Sequence, residues 1–121
     1  MPNKQKTNIL LPVLDIEHLE SFTNGDKGLE KELFNIFCEQ GALILLDLEN
    51  ACKEGLDEEW RCFSHKLKGS AHNLGAKNLA NLCDIAEENY EDVLEKKVKY
   101  LESIIYEFIE VKELLLKRIA S

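Results

Sequence analysis

His65, Lys68, Gly69 and His72 stand close together in the run HKLKGSAHNLGA, from His65 to Ala76. An imidazole is a nucleophile and proton carrier near neutral pH. An ammonium offsets charge on anionic oxygens, and a glycine withholds a side chain. A helix turns about 100° per residue, so the direction of each side chain follows from its position. With Trp60 at zero, Phe63, Leu67, Ala71 and Leu74 centre near about 330°. On the same wheel His65 falls near about 140°, Lys68 near about 80°, Gly69 near about 180°, His72 near about 120° and Arg61 near about 100°. These five residues therefore share a face that points away from the apolar one. Glycine inside a helix costs roughly 1 kcal/mol relative to alanine. Gly69 faces outward, so core packing does not require it. Its missing side chain gives another molecule room to approach the His65 imidazole, with Lys68 one turn away. This combination suits nucleophilic histidine chemistry on a phosphoryl group. The competing reading is a solvated face that tolerates Gly69, and spacing alone leaves both open. Metal ligation is a third possibility, because Cys62, His65 and His72 lie on one helix and Cys83 follows. Cys62 turns partway toward the core, however, and no CxxC or HxxxH pair occurs, so no metal site is expected.

The elements that must carry these residues are helical. Pro2 and Pro12 are the only prolines, and Leu, Glu and Lys dominate the rest. Asp15 can cap a short helix over about residues 15–23, and Asn24-Gly25-Asp26 reads as a turn. A long helix over about 28–54 presents Leu29, Leu33, Phe37, Gly41, Ile44, Leu48 and Cys52 as one stripe, widened by Phe34 and Leu45. Gly55 ends it. The helix bearing His65 starts at Asp57, with Glu58 and Glu59 favoured by the helix dipole, and Gly75 stops it. Another helix over about 77–89 buries Leu79, Leu82, Cys83 and Ala86. The last, over about 92–120, turns Val98, Leu101, Ile105, Phe108, Leu115 and Ile119 inward. The expected fold is all-α: an antiparallel four-helix bundle with an additional short N-terminal helix. Residues 1–12 are expected to form a tail or arm, with the apolar patch Ile9-Leu10-Leu11 laid on the bundle, and residues 13–121 one domain.

The formal net charge of −8 disfavours nucleic acid as a partner. No apolar run is long enough to span a bilayer, and no secretory signal is evident. Four cysteines without a CxxC pair fit a reducing, cytoplasmic setting, in which they serve as small buried hydrophobes. His18 has no chemical neighbours in the sequence and is expected at the surface.

The pattern HxLKGSAxxLGA, followed by Leu79, Cys83 and an acidic residue at Glu87, resembles the histidine-containing phosphotransfer domain of two-component phosphorelays. The resemblance covers most of the chain, and its motif runs from Phe63 to Glu87. It implies a four-helix bundle with an exposed phosphoacceptor, His65. It further implies that Lys68 stabilises the phosphoryl group and that Gly69 clears space for the docking partner. Ser70 and Ala71 match small positions that let this helix pack closely. Glu87, on the next helix, would accept a hydrogen bond from Nδ1–H of His65 and leave Nε2 as the nucleophile. Arg61, Lys66, Gly69 and His72 would lie on the docking surface. The partners implied are response-regulator receiver domains, with a hybrid sensor histidine kinase as a possible source of phosphate. The chain would hold no cofactor of its own, the receiver bringing Mg²⁺, and would act as a monomeric carrier, not as a stand-alone enzyme. The rival within the same fold is a scaffold that docks on a kinase or receiver without carrying phosphate. The intact set of His65, Lys68 and Gly69 argues against it.

Overall fold

The computed structural model describes residues 12–120. They form five helices: α1 (Ile16–Thr23), α2 (Lys27–Glu54), α3 (Asp57–Leu74), α4 (Lys77–Glu88) and α5 (Leu94–Ala120). No strand occurs among the described residues. The expectation for Ile9-Leu10-Leu11 lies outside them.

The helix ends follow local chemistry. Asp15 Oδ1 accepts from His18 N at 3.2 Å, and Asp26 Oδ1 from Leu29 N at 3.1 Å, so both caps satisfy a donor that the helix leaves free. Asn24, Gly55 and Gly75 close α1, α2 and α3 in the left-handed conformation. Gly75 has a second constraint. A Cβ there would sit 2.8 Å from the Asp15 carbonyl oxygen, where the entering chain crosses and Asp15 N donates to Gly75 O at 2.8 Å. Just before that crossing, Asn78 N donates to Pro12 O, and Val13 and Leu14 pack on the core. The N-terminal segment is thus tied to the bundle from Pro12 onward.

Helices α2 to α5 pack in a ring, each against its chain neighbours and α2 against α5, while α1 lies on α2 and α3. Short connections make successive helices antiparallel. The core contains Trp60, Leu67, Ala71, Leu79, Cys83 and Ala86 on the α3–α4 side and Phe37, Leu48, Leu101, Ile104, Phe108 and Val111 on the other. Gly41 permits the close approach of α2 and α5. A Cβ on it would lie 2.3 Å from the Phe108 ring, which stacks on Phe37 at 4.9 Å between centroids.

Four details differ from the sequence reading. The inner face of α5 is Leu101, Ile104, Phe108, Val111 and Leu115, whereas Val98 is exposed and Ile105 and Ile119 are only half-buried. Lys97 takes the buried place near Val98, lying over the Trp60 ring and pairing with Asp57 at the start of α3. Cys62 is exposed and Cys38 half-buried, so only Cys52 and Cys83 behave as core residues. His18 is half-buried because α1 folds over the end of α3. Its ring lies 5.8 Å from that of His72, and its Nε2 is enclosed.

Candidate functional site

The seam between α3 and α4 determines the site. Ser64, Leu67 and Ala71 on α3 face Leu79, Cys83 and Ala86 on α4, all buried. Small residues on both sides bring the backbones close. The indole N–H of Trp60 donates to Ala86 O at 2.9 Å. That carbonyl belongs to the last turn of α4, whose oxygens have no partner within the helix. Trp60 thereby anchors the end of α4 one residue before Glu87.

This anchoring sets Glu87 beside His65. His65 Nδ1 and Glu87 Oε2 are 3.0 Å apart. The His65 side chain is 67% exposed and that of Glu87 only 19%, so the imidazole stands in solvent while its support is half-sunk in the seam. Burial alone pushes the Glu87 carboxyl up, but hydrogen bonds from Lys68 and His65 outweigh it and hold the carboxyl below its ordinary value. An ionised carboxylate only accepts hydrogen bonds. Nδ1 of a neutral His65 must therefore carry the hydrogen, and Nε2 keeps its lone pair.

Lys68 joins the same group. Its Nζ lies 2.7 Å from Glu87 Oε1 and 3.0 Å from Asp84 Oδ1. Hydrogen bonds to these carboxylates raise its pKa, Glu87 contributing most, so it stays charged. The wheel directs Lys68 outward, yet its side chain is half-buried, because it bends back across the seam to α4.

Gly69 is exposed, and a Cβ built on it would meet nothing within 4 Å. No contact among the described residues requires a glycine there. Arg61 donates twice to Glu58 and lies 5.4 Å from the Tyr90 ring centre. A shallow depression beside the imidazole is lined by Arg61, Cys62, Phe63, His65, Lys66 and Glu87. Among the expected site residues, Arg61, His65, Lys66 and Glu87 thus meet in one place, and Lys68 joins through Glu87. Gly69 follows one turn along α3. His72 is exposed but stands a further turn away, beside His18. Ser70 is half-buried toward α2, and Ser64 is the small residue that the seam encloses. Among the described residues, no three His, Cys, Asp or Glu side chains converge in a way that could hold a metal ion.

Asp84 escaped the sequence reading. Its spacing of three from Glu87 puts both carboxylates on one face of α4, a signal visible beforehand. That this face meets Lys68 depends on how α4 is set against α3.

Comparison with known proteins identifies the family and a similar fold. The Hpt domain family model matches residues 32–115. The chain is similar to the crystal structure of histidine-containing phosphotransfer protein B (HptB) from Pseudomonas aeruginosa PAO1, with a TM-score of 0.83 and 26% identity, covering 90% of this chain and 96% of that one. No curated protein matches the chain.

Proposed function

The chain belongs to the Hpt domain family, and on that premise we propose that it is a phosphorelay carrier that works through His65. A receiver domain bearing an aspartyl phosphate docks over α3. The Nε2 lone pair attacks phosphorus in line, the new N–P bond forms, and the P–O bond to the aspartyl carboxylate breaks with its electron pair leaving on that carboxylate. The ring becomes cationic and keeps its Nδ1 hydrogen, which Glu87 receives in a hydrogen bond. Attack by the aspartate of a second receiver reverses these steps. A hybrid histidine kinase is a further source of phosphate.

Lys68 is the cation closest to the imidazole's supporting carboxylate, and in this reading it offsets charge on the phosphoryl oxygens. Gly69 leaves room for the docking partner, which Arg61, Lys66 and His72 also touch. The receiver supplies Mg²⁺. The chain neither makes nor hydrolyses phosphate esters alone, and it acts as a monomer in the cytoplasm. No helix among the described residues is long and apolar enough to cross a membrane.

One observation carries the proposal: an exposed imidazole with Nδ1 committed to a carboxylate stands one turn from a glycine that no contact among the described residues requires. The test uses wild type, His65→Gln and His72→Gln, each treated with phosphoramidate or a phosphorylated receiver and read by intact mass. The expected result is an acid-labile, alkali-stable phosphate on wild type and His72→Gln that is absent from His65→Gln. A folded wild type that takes no phosphate from any donor would favour the scaffold instead.

A further inference from the structure

The Lys68 ammonium is paired with two carboxylates before any phosphate arrives. Glu87 Oε1 and Asp84 Oδ1 hold it at 2.7 and 3.0 Å, from successive turns of α4. With the imidazole neutral, this one ammonium faces two carboxylates, a formal surplus of one negative charge within the Lys68–Glu87–Asp84 cluster. A phosphoryl dianion on Nε2 meets that surplus and competes for the same ammonium. Glu87 also holds Nδ1 of His65, so its contact with the ring persists. Asp84 pairs with Lys68 and not with the ring, so it acts on the site through Lys68. Its side chain is 44% exposed, so its influence is electrostatic and open to salt.

We propose that Asp84 is a positioning residue that draws Lys68 toward α4 and away from the phosphoryl group, keeping phosphate on His65 readily transferable. This rests on the carrier reading above. A relay needs an acceptor that is easily loaded and easily emptied. A fully freed lysine would bind the phosphoryl group more tightly and slow its departure. By holding Lys68 partly back, Asp84 sets the lifetime of the phosphorylated state without touching the ring.

The test loads wild type, Asp84→Asn, Asp84→Glu and His65→Gln with phosphoramidate, removes the donor, and follows loss of the adduct by intact mass at neutral pH. At low salt the asparagine variant should lose phosphate about threefold to tenfold more slowly than wild type, the change expected from removing one screened charge at this range. The difference should shrink at high salt, and Asp84→Glu should behave like wild type. A purely structural role would produce no salt-dependent difference and no rescue by glutamate. Loss from Asp84→Asn at the wild-type rate or faster, with the thermal midpoint unchanged, overturns the assignment of Asp84 and leaves the carrier reading standing. An adduct that never forms on wild type, or that persists in His65→Gln, overturns both.

Discussion

Glu30 and Glu87 each hold a cation across a helix interface, yet they serve opposite ends. Glu30 of α2 has a side chain only 1% exposed and receives Arg118 of α5 through Nε at 2.9 Å and Nη2 at 3.1 Å. Thr23 of α1 donates to the same carboxylate at 3.3 Å, and Arg118 reaches on to Glu20 of α1. Thr23 and Glu20 lie on α1, Glu30 on α2 and Arg118 on α5, so three helices are pinned together. Glu87 also accepts from two groups, but one of them is the exposed ring of His65. The contrast shows how similar carboxylate chemistry fastens a bundle when its partners lie between helices and holds an imidazole out to solvent when one partner is exposed.

The largest effect that would sharpen this contrast is the loss of phosphorylation in His65→Gln. Its stability should stay within about 0.5 kcal/mol of wild type, as for other exposed substitutions. Glu30→Ala should show the reverse. It removes the enclosed partner of Arg118, which keeps Glu20, and should cost about 2 kcal/mol in denaturant unfolding, while the folded fraction still takes up phosphate at the wild-type rate. A defect in phosphate uptake by folded Glu30→Ala would break the division between the two clusters.

Glu87→Gln stands between these extremes. It removes the charge that fixes the imidazole tautomer, so transfer should slow by about tenfold, and stability should fall by about 1 kcal/mol. Acid separates the two carboxylates further. Both Glu30 and Glu87 have folded pKa values below the ordinary 4.5, Glu30 chiefly through Arg118 and Glu87 through Lys68 and His65 against the opposing effect of burial. A carboxyl lowered on folding contributes stability that is fully present above its unfolded pKa and is lost as pH falls through the folded one. Unfolding free energy should therefore decline as pH drops below 4.5, less steeply in Glu87→Gln than in wild type. Equal slopes would show that the site carboxylate contributes nothing to acid stability.

The smallest effect concerns glycine. Gly69→Ala places its methyl group in open space, so stability should rise by roughly 0.5–1 kcal/mol while transfer from a receiver slows. Faster or unchanged transfer would remove the access role of Gly69. Gly41, enclosed against Phe108, is the internal control: alanine there should destabilise by about 1–3 kcal/mol through overpacking.

Features set by neighbours in the chain were legible beforehand. The long stripe through Phe37 and Leu48, the stops at Gly55 and Gly75, and the outward direction of His65, Gly69 and Arg61 all follow from helix geometry and local caps. Features set by helix packing were not. Periodicity suggested Val98 for the interior of α5, whereas Ile104 and Val111 are buried there, because contact with both α2 and α4 selects a different and broader face. Buried Glu30 and Lys97 look like surface charges until Arg118 and Asp57 arrive from distant parts of the chain. In the site, Glu87 entered only through the family resemblance. The engagement of Lys68 by Asp84 depends on interhelical setting, on which the sequence pattern is silent.

Trp60 gives the molecule an optical reporter. It is the sole tryptophan, it is fully enclosed, and its indole N–H is bonded one residue from Glu87. Its emission thus comes from a single chromophore placed under the reactive face. Opening of the seam between α3 and α4 would wet the indole and move its emission to longer wavelength. Chemistry confined to the outward nitrogen of His65 would leave that colour almost unchanged. One fluorescence trace can therefore separate a variant that has lost its scaffold from one that has lost only its reactivity.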